Sequence, residues 1–182
     1  MGKFFSELTE PHKEFISKQH LFFVATAPLG AEGRVNLSPK GLDCFRILPD
    51  GRVGYMDLVS SGNETAAHTL ENGRITFMFC SFEGSPNILR LYGKGNSVQK
   101  DSDEWKNIAH HFTIYPSTRQ IILAKIDLVQ TSCGFGVPLY SYEGERQIHF
   151  DWAEKKGEEG LKLYVREKNS KSLDGLPTGI DF

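Results

Sequence analysis

The sequence predicts a mainly β fold with a few helices, arranged as an antiparallel barrel or sandwich in a single domain. Aromatic and β-branched residues recur in short alternating runs, which favours strands. Clusters of Gly, Pro, Asn and Asp separate these runs at hairpin spacing, and helical periodicity is confined to a few segments. We expect residues 1–132 to form the barrel domain, and residues 133–182 to be an extension packed on it or on a partner subunit.

The predicted elements begin with a helix at Thr9, where a capping residue, an acidic residue and a proline share the first turn. Extended segments then follow at 21–27, 35–38, 44–48, 53–58, 74–82, 88–98 and 119–131. Segment 74–82 is expected to be central, because both of its faces are apolar. Gly93 and Gly95 predict a bulge or a strong bend, of the kind that closes a barrel.

The remaining elements are helices and turns. Residues 101–112 combine an acidic start with apolar residues at helical spacing. They therefore predict an amphipathic helix between two strands. After the Gly-rich turn 133–138, residues 139–142 alternate as a strand would. The charged segment 154–166 is predicted to be helical, and the last residues are rich in turn formers.

Composition and charge exclude several functional classes. The formal net charge of −2 offers no electrostatic basis for binding nucleic acid or an anionic membrane. No apolar run reaches the roughly 20 residues of a membrane span, and the charged N-terminus does not match a signal peptide. Three widely spaced cysteines fit a reducing cytoplasm. No metal site is expected, because the adjacent His110 and His111 would point to different sides of a helix.

Residues 52–73 are predicted to form a short strand, a turn and a helix that begins at Asn63, a favourable N-cap. The turn consists of Ser60, Ser61 and Gly62. A Gly/Ser turn that leads into a helix directs several unpaired backbone N–H groups toward one point, beside hydroxyl groups. The segment is therefore a candidate anion cradle, for which phosphate is the commonest ligand. The alternative is an ordinary capped helix after a turn.

Three charged residues are candidates for the same site. Lys40 lies between Pro39 and Gly41, which are expected to break the strand before it, so its ammonium group could reach into a cleft. The alternative is a surface lysine in a turn. Arg90 lies in an apolar strand and needs either a buried carboxylate or a ligand phosphate. Asp57 has the same requirement, so these two residues could instead form a structural pair.

Several strings of residues together resemble the FMN-binding split-barrel family that is related to pyridoxamine 5′-phosphate oxidase. They occur in the family's order over residues 10–130, and SGNETAAH is the most specific of them. The strings are VNLSPKG (35–41), GYMDLVSSGNETAAH (54–68), ENGRITFMF (71–79) and ILRLYGKG (88–95). In addition, SCGFGVP and SLDGLP in the last third resemble an uncharacterised branch of the same family.

The resemblance implies a six-stranded antiparallel split β-barrel that forms a homodimer, with two FMN molecules in clefts at the dimer interface. The family's cofactor-binding positions fall on Asn36, Ser38, Pro39, Lys40, Tyr55, Met56, Asp57, Ser61, Gly62, Asn63 and Thr65. The arginine that the family presents near the partner's cofactor falls on Arg90. These positions include the anion cradle that the turn residues predict independently.

The chain departs from the family's namesake enzymes in two respects. Where those enzymes place an Arg-Lys pair for the FMN phosphate, this sequence has Gly62, Asn63, Glu64 and Thr65. Backbone N–H groups and hydroxyls would then hold the phosphate, with Lys40 as the main charge, and Glu64 would have to point away. The basic C-terminal segment that binds their substrate is also absent, which argues against the vitamin B6 reaction.

The sequence therefore predicts a cytoplasmic FMN-binding flavoprotein, an oxidoreductase whose substrate and electron donor it does not identify. An alternative of another class is a non-catalytic flavin- or haem-binding module for sensing, storage or haem handling. Oxidation of a B6 phosphate ranks last among the hypotheses. A deazaflavin in place of FMN is also left open, and no catalytic residue is assigned.

Overall fold

The structure, a computed structural model, describes residues 2–180. Within these residues, eight strands and four α-helices alternate irregularly, and one turn of 3-10 helix at Ala109–His111 follows the third helix. The strands are β1 (Lys3–Phe5), β2 (Phe22–Thr26), β3 (Asn36–Lys40), β4 (Phe45–Ile47), β5 (Val53–Leu58), β6 (Arg74–Cys80), β7 (Ile88–Gln99) and β8 (Thr118–Ser132). The helices are α1 (Glu10–Ser17), α2 (Glu64–Asn72), α3 (Asp103–Ile108) and α4 (Ile148–Lys168).

All strands pair antiparallel in one curled sheet with the order β3-β2-β6-β7-β8-β5-β4, and β1 pairs with the far end of β8. The sheet closes through side chains instead of hydrogen bonds. Phe45 on the last strand packs against Phe22 and Phe79 near the other end of the order, with ring centroids 5.1 and 5.0 Å apart. The fold is therefore a mainly β, antiparallel split barrel with few helices, as predicted, although residues 2–180 contain eight strands and not six.

The bend that the glycines of β7 predict is present. The register between β7 and β8 shifts between Tyr92 and Gly93. A Cβ atom at Gly93 would collide with the backbone carbonyl of Lys125 on β8, and one at Gly95 would lie 3.0 Å from the carbonyl of Leu123. The two strands can approach this closely only because neither glycine has a side chain.

The C-terminal segment packs on the barrel through α4 and the turn that follows it. Leu161 and Ala153 of α4 form a small apolar cluster with Val59, which immediately follows β5. The helix changes direction at Gly157, whose φ of 63° is a left-handed conformation that glycine tolerates. Asn169, fully buried, donates from its side-chain amide to the carbonyl of Ser60. The segment therefore contacts the turn that leads into α2.

Two local expectations were wrong, and one strand was not predicted. Residues 139–142 form no strand. The backbone N–H groups of Tyr140 and Tyr142 donate to the carbonyl of Phe82 and the carboxylate of Glu83, and the four residues are exposed. Pro39 does not interrupt the strand at 35–38 but lies inside β3. This is compatible with pairing because β3 is an edge strand, where a missing N–H donor can face solvent. The strand β1 has no counterpart among the predicted elements.

Candidate functional site

A polar cleft opens where β3, the end of β5, the start of α2 and the start of β8 meet. Its volume is about 300 Å³. The lining residues are Asn36, Ser38, Lys40, Asp57, Ser60, Ser61, Gly62, Asn63, Glu64, Thr65, Arg119 and Leu173. Segments that are far apart in the sequence thus contribute to one site, and most of their side chains carry a charge, an amide or a hydroxyl.

A buried ion pair forms the floor of the cleft. The carboxylate of Asp57 accepts hydrogen bonds from Nε and Nη2 of Arg119 at 3.0 and 2.7 Å, and both side chains are 4% exposed. A β-bulge explains the geometry: the register between β5 and β8 skips Arg119, so its side chain and that of Gln120 both reach Asp57. The expected alternative pairing of Asp57 with Arg90 is therefore wrong.

Asp57 is held in its ionised form. Burial pushes the pKa of this carboxyl upward, but the charges of Arg119 and Lys40 and the amide of Gln120 outweigh burial, so the pKa lies below its ordinary value of 3.8. The Nζ of Lys40 lies 3.8 Å from the other carboxylate oxygen. At this distance Asp57 neutralises the charge of Lys40 only in part. The side chain of Lys40 is 23% exposed and lines the cleft.

Asn63 has a structural role beside its place in the lining. The sequence predicts that its side chain caps α2, but in the structure it makes no capping hydrogen bond. It instead accepts a hydrogen bond from Gln120 at 2.8 Å and donates one to the carbonyl of Asn169 at 3.2 Å. Arg119 also donates to the carbonyl of Gly62. These bonds fix the turn before α2 to both β8 and the C-terminal segment.

The first turn of α2 presents free backbone donors to the cleft. The first N–H groups of a helix have no acceptor within it, and no side chain caps this helix. Hydroxyl groups of Ser38, Ser60, Ser61 and Thr65 line the same space. The Asn36 amide donates to Thr65 Oγ1 at 3.1 Å, which links β3 to the helix. The arrangement of donors matches what an anion needs at a helix N-terminus.

Glu64 does not point away, contrary to the expectation. Its carboxylate folds back over Gly62, where a Cβ atom would collide with it, and it lines the cleft. Oε1 accepts a hydrogen bond from the backbone N–H of Leu173 at 3.3 Å. The C-terminal turn therefore reaches the cleft through a contact with the first residue of α2.

Eight of the twelve residues expected to bind cofactor line this cleft: Asn36, Ser38, Lys40, Asp57, Ser61, Gly62, Asn63 and Thr65. Tyr55 lies beneath them, 1% exposed, with its ring centroid 5.5 Å from Lys40 Nζ. Burial raises the pKa of its phenol well above 10. Met56 is buried with its side chain on the opposite side of β5 from Tyr55 and Asp57, and Pro39 is exposed.

Arg90 does not reach the cleft of its own chain. Its Nη1 donates to the hydroxyl of Ser132 at 3.2 Å, and the residue is half-buried on β7. Sequence reasoning missed Arg119, Gln120 and Leu173 as parts of the site, whereas Ser60 belongs to the turn that was predicted to be an anion cradle. A possible signal for Arg119 was a charged residue at the start of an otherwise apolar strand, which needs a buried partner. Nothing in the sequence around Leu173 indicates that it faces this cleft.

Residues 2–180 contain neither a metal-binding cluster nor a membrane-spanning helix. No group of three or more His, Cys, Asp or Glu side chains in this part of the chain could hold a metal ion. Within the same residues, none of the helices is long and apolar enough to cross a membrane.

Comparison with known proteins identifies the family. Residues 8–133 match the profile described as pyridoxamine 5′-phosphate oxidase. The pyridoxamine 5′-phosphate oxidase family protein ustO from Aspergillus flavus is 34% identical over 197 aligned positions, which cover 97% of this chain and 78% of that protein. Both matches extend across the strands and turns that build the cleft.

Two solved structures share the fold at low identity. A histidine-to-alanine variant of HupZ from Group A Streptococcus superposes with a TM-score of 0.53 at 20% identity, covering 68% of this chain and 98% of that one. The FAD binding protein from Mycobacterium smegmatis gives a TM-score of 0.51 at 11% identity, covering 69% and 95%. These two matches show the fold, and the profile match together with the 34% identical relative shows that the chain belongs to the pyridoxamine 5′-phosphate oxidase family.

Proposed function

We propose that this protein is an FMN-binding flavoprotein and acts as an oxidoreductase, as a homodimer in the cytoplasm. The phosphate of the cofactor would bind at the first turn of α2, next to Lys40. The single observation that carries the proposal is the convergence of Lys40, uncapped helix N–H groups and several hydroxyls in one cleft. Flavin binding is general in the family to which the chain belongs.

The size of the cleft supports a site shared between two subunits. At about 300 Å³ it lies at the lower end of the range of small-molecule pockets, roughly 300–1,000 Å³. That volume suits a phosphate and part of a polar chain better than a complete flavin. The tricyclic ring would extend beyond the cleft of one chain, where a second subunit would cover it. Arg90, which does not reach its own cleft, is a candidate contact to the partner's cofactor.

The residues of the cleft favour flavin over haem. Haem iron is usually held by His, Cys, Met or Tyr, and none of these residue types is among those that line the cleft. Donors of the kind found here suit a phosphate and the hydroxyls of a sugar-like chain. The redox chemistry would be supplied by the bound flavin. The protein's own groups would bind and orient it: Lys40 and the helix N–H groups at the phosphate, and Asn36 and Ser38 along the chain.

The first experiment is the visible spectrum of the purified protein. Flavin absorption bands, or their appearance after incubation with FMN, are expected. A Soret band with no flavin would instead support the haem-binding alternative. Repeated reduction by NAD(P)H and reoxidation by an acceptor would distinguish an oxidoreductase from a module that only binds flavin.

The second experiment tests the position of the phosphate. Lys40→Met should weaken FMN binding by about tenfold, because it removes one charge-assisted contact worth about 1.5 kcal/mol. Lys125→Met is the control, since this lysine is exposed on β8 outside the cleft. Equal dissociation constants for both variants in a fluorescence titration would refute the assignment.

The third experiment concerns the subunit arrangement. Sedimentation of the FMN-loaded protein should give a dimer, and Arg90→Ala should weaken both dimer formation and FMN binding. A holoprotein that sediments entirely as a monomer would contradict the shared site.

A further inference from the structure

The position of Glu64 is unusual for a site that accepts an anion. This residue opens α2, and its carboxylate lies over the backbone of Gly62 at the point where the free helix N–H groups face the cleft. A carboxylate is itself a good ligand for a helix N-terminus. Glu64 therefore brings a negative charge to the end of the cleft where a phosphate would bind, although its carboxylate accepts its hydrogen bond from Leu173.

The charges of the cleft are balanced when Glu64 is included. Four ionisable residues line it, namely Lys40, Arg119, Asp57 and Glu64. The carboxylate of Asp57 forms its close ion pair with Arg119, with Nη2 and Oδ2 2.7 Å apart. Its other oxygen lies 3.8 Å from Nζ of Lys40. With Glu64 the lining has no formal net charge, and without it the lining has one positive charge. Glu64 thus cancels the attraction that the cleft would otherwise exert on a phosphate.

Glu64 also joins the site to the C-terminal turn. Its Oε1 is the acceptor for the backbone N–H of Leu173, which lines the same cleft. The next residue, Asp174, is held independently by the side chain and backbone N–H of Arg34. If Glu64 moves, the turn loses one hydrogen bond but keeps this second attachment. A displacement of the carboxylate is therefore a local event that the fold can accommodate.

We propose that Glu64 is a specificity-determining residue, an internal anion beside the first turn of α2 whose charge opposes the binding of a ligand phosphate there. The proposal rests on the proposed function, since it requires the phosphate of a flavin to enter this cleft. Its consequence is a selective penalty: a ligand with a phosphate meets the charge of Glu64, whereas the same ligand without a phosphate does not. The affinity of the site for phosphorylated ligands is thus set below what Lys40 and the helix would provide.

The test compares two flavins that differ only in the phosphate, FMN and riboflavin, on three forms of the protein. Glu64→Gln keeps the size of the side chain and an acceptor for Leu173 but removes the charge. Glu71→Gln is the matched control, because Glu71 belongs to the same helix and also accepts a backbone N–H, from Leu29, but lies outside the cleft. Dissociation constants are measured by quenching of flavin fluorescence, with circular dichroism to verify folding.

For Glu64→Gln, FMN should bind roughly tenfold more tightly than to the wild type, while riboflavin binding stays the same. Glu71→Gln should change neither value. A second variant, Glu64→Ala, must act in the same direction, because the charge and not the hydrogen bond to Leu173 is responsible.

An unchanged or weakened FMN affinity in both Glu64 variants, with riboflavin also unchanged, overturns the role of Glu64 and leaves flavin binding intact. An equal gain for both flavins also overturns it, since the phosphate would not be the group that Glu64 opposes. Failure of the wild type to bind either flavin overturns the proposed function itself, and the role of Glu64 with it.

Discussion

The substitution Asp57→Asn isolates the buried ion pair on which the floor of the cleft depends. Asp57 is 4% exposed and accepts three hydrogen bonds, two from Arg119 and one from Gln120. An asparagine has nearly the same shape but no charge, and its NH₂ group cannot accept. The guanidinium of Arg119 would remain buried without a counter-charge, even though all three bonds end on Oδ2 and an asparagine Oδ1 in that place can still accept them.

The expected cost follows from that geometry. Removing one partner of a buried ion pair destabilises a protein by about 3–5 kcal/mol, mainly because the other charge stays buried. For a chain of this length, 1 kcal/mol corresponds to about 2–4 °C in Tm. We therefore expect the variant to melt about 6–20 °C below the wild type at pH 7. Asp50→Asn is the control: this exposed partner of Arg52 should contribute about 1 kcal/mol or less.

The pH dependence gives a second readout. Because the folded-state pKa of Asp57 lies below the ordinary 3.8, its contribution to stability is fully present above that value. It is lost progressively as the pH falls from about 4 toward the folded-state pKa. The Tm difference between wild type and Asp57→Asn should therefore be constant from pH 5 to 7, and should shrink below about pH 4.

Thermal unfolding followed by circular dichroism over this pH range provides the measurement. A double variant that also carries Arg119→Gln should recover part of the loss, since it removes the uncompensated charge. The reasoning would be refuted if Asp57→Asn melted within 2 °C of the Asp50→Asn control, or if the double variant were less stable than the sum of the two single effects.

Two further expectations concern other parts of the fold. In the native protein at pH 8 a thiol reagent should modify the exposed Cys133 rapidly, and Cys44 and Cys80 only on unfolding. Burial raises the pKa of the Cys44 thiol to about 12 and also raises the pKa of Cys80. Rapid reaction of two or three thiols would contradict the packing. Gly93→Ala should cost about 1–3 kcal/mol in a denaturant titration, because its Cβ would collide with the β8 backbone, whereas Gly136→Ala, with open space around it, should have no measurable effect.

The parts of the fold that the sequence predicts are those governed by local patterns. Alternation in 74–82 identifies β6, which the structure places inside the sheet between β2 and β7. Two glycines identify the bend of β7. A close approach between strands requires a residue without a side chain, and glycine at such a position can be recognised in the sequence. The Ser60–Gly62 turn and the start of α2 are equally local. Each of these features depends on residues that are neighbours in the chain.

The partners of buried charges are not local, and there the predictions failed. Asp57 and Arg119 are 62 positions apart, and they meet because a bulge in β8 turns the arginine inward. Sequence periodicity alone would place Arg119 and Gln120 on opposite faces of a strand, so only one of them could reach Asp57. In the sequence, Arg90 is the more conspicuous candidate partner for Asp57, because it lies in the middle of an apolar run. In the structure its guanidinium instead donates a hydrogen bond to the hydroxyl of Ser132.

Asn63 shows why local and tertiary demands on one residue can conflict. Its type and position favour a side-chain cap on α2, worth about 1 kcal/mol. The folded chain uses the amide differently, to join Gln120 of β8 to the carbonyl of Asn169 in the C-terminal segment. Because the cap is not made by a side chain, the helix N–H groups remain directed at the cleft. The loss of a local contact thus creates the feature that makes this turn suitable for an anion.

The C-terminal segment, in turn, is part of the cleft and not a cover added to a finished barrel. Asn169 is fully buried and donates to Ser60, while Thr178 donates to the carbonyl of Asn169 at 2.6 Å. Leu173 then lines the cleft a few residues further on. Through Asn169 the segment holds the turn before α2 in place, and through Leu173 it forms part of the cleft wall. The family's barrel supplies the strands of the cleft, and this extension borders the end of the cleft where α2 begins.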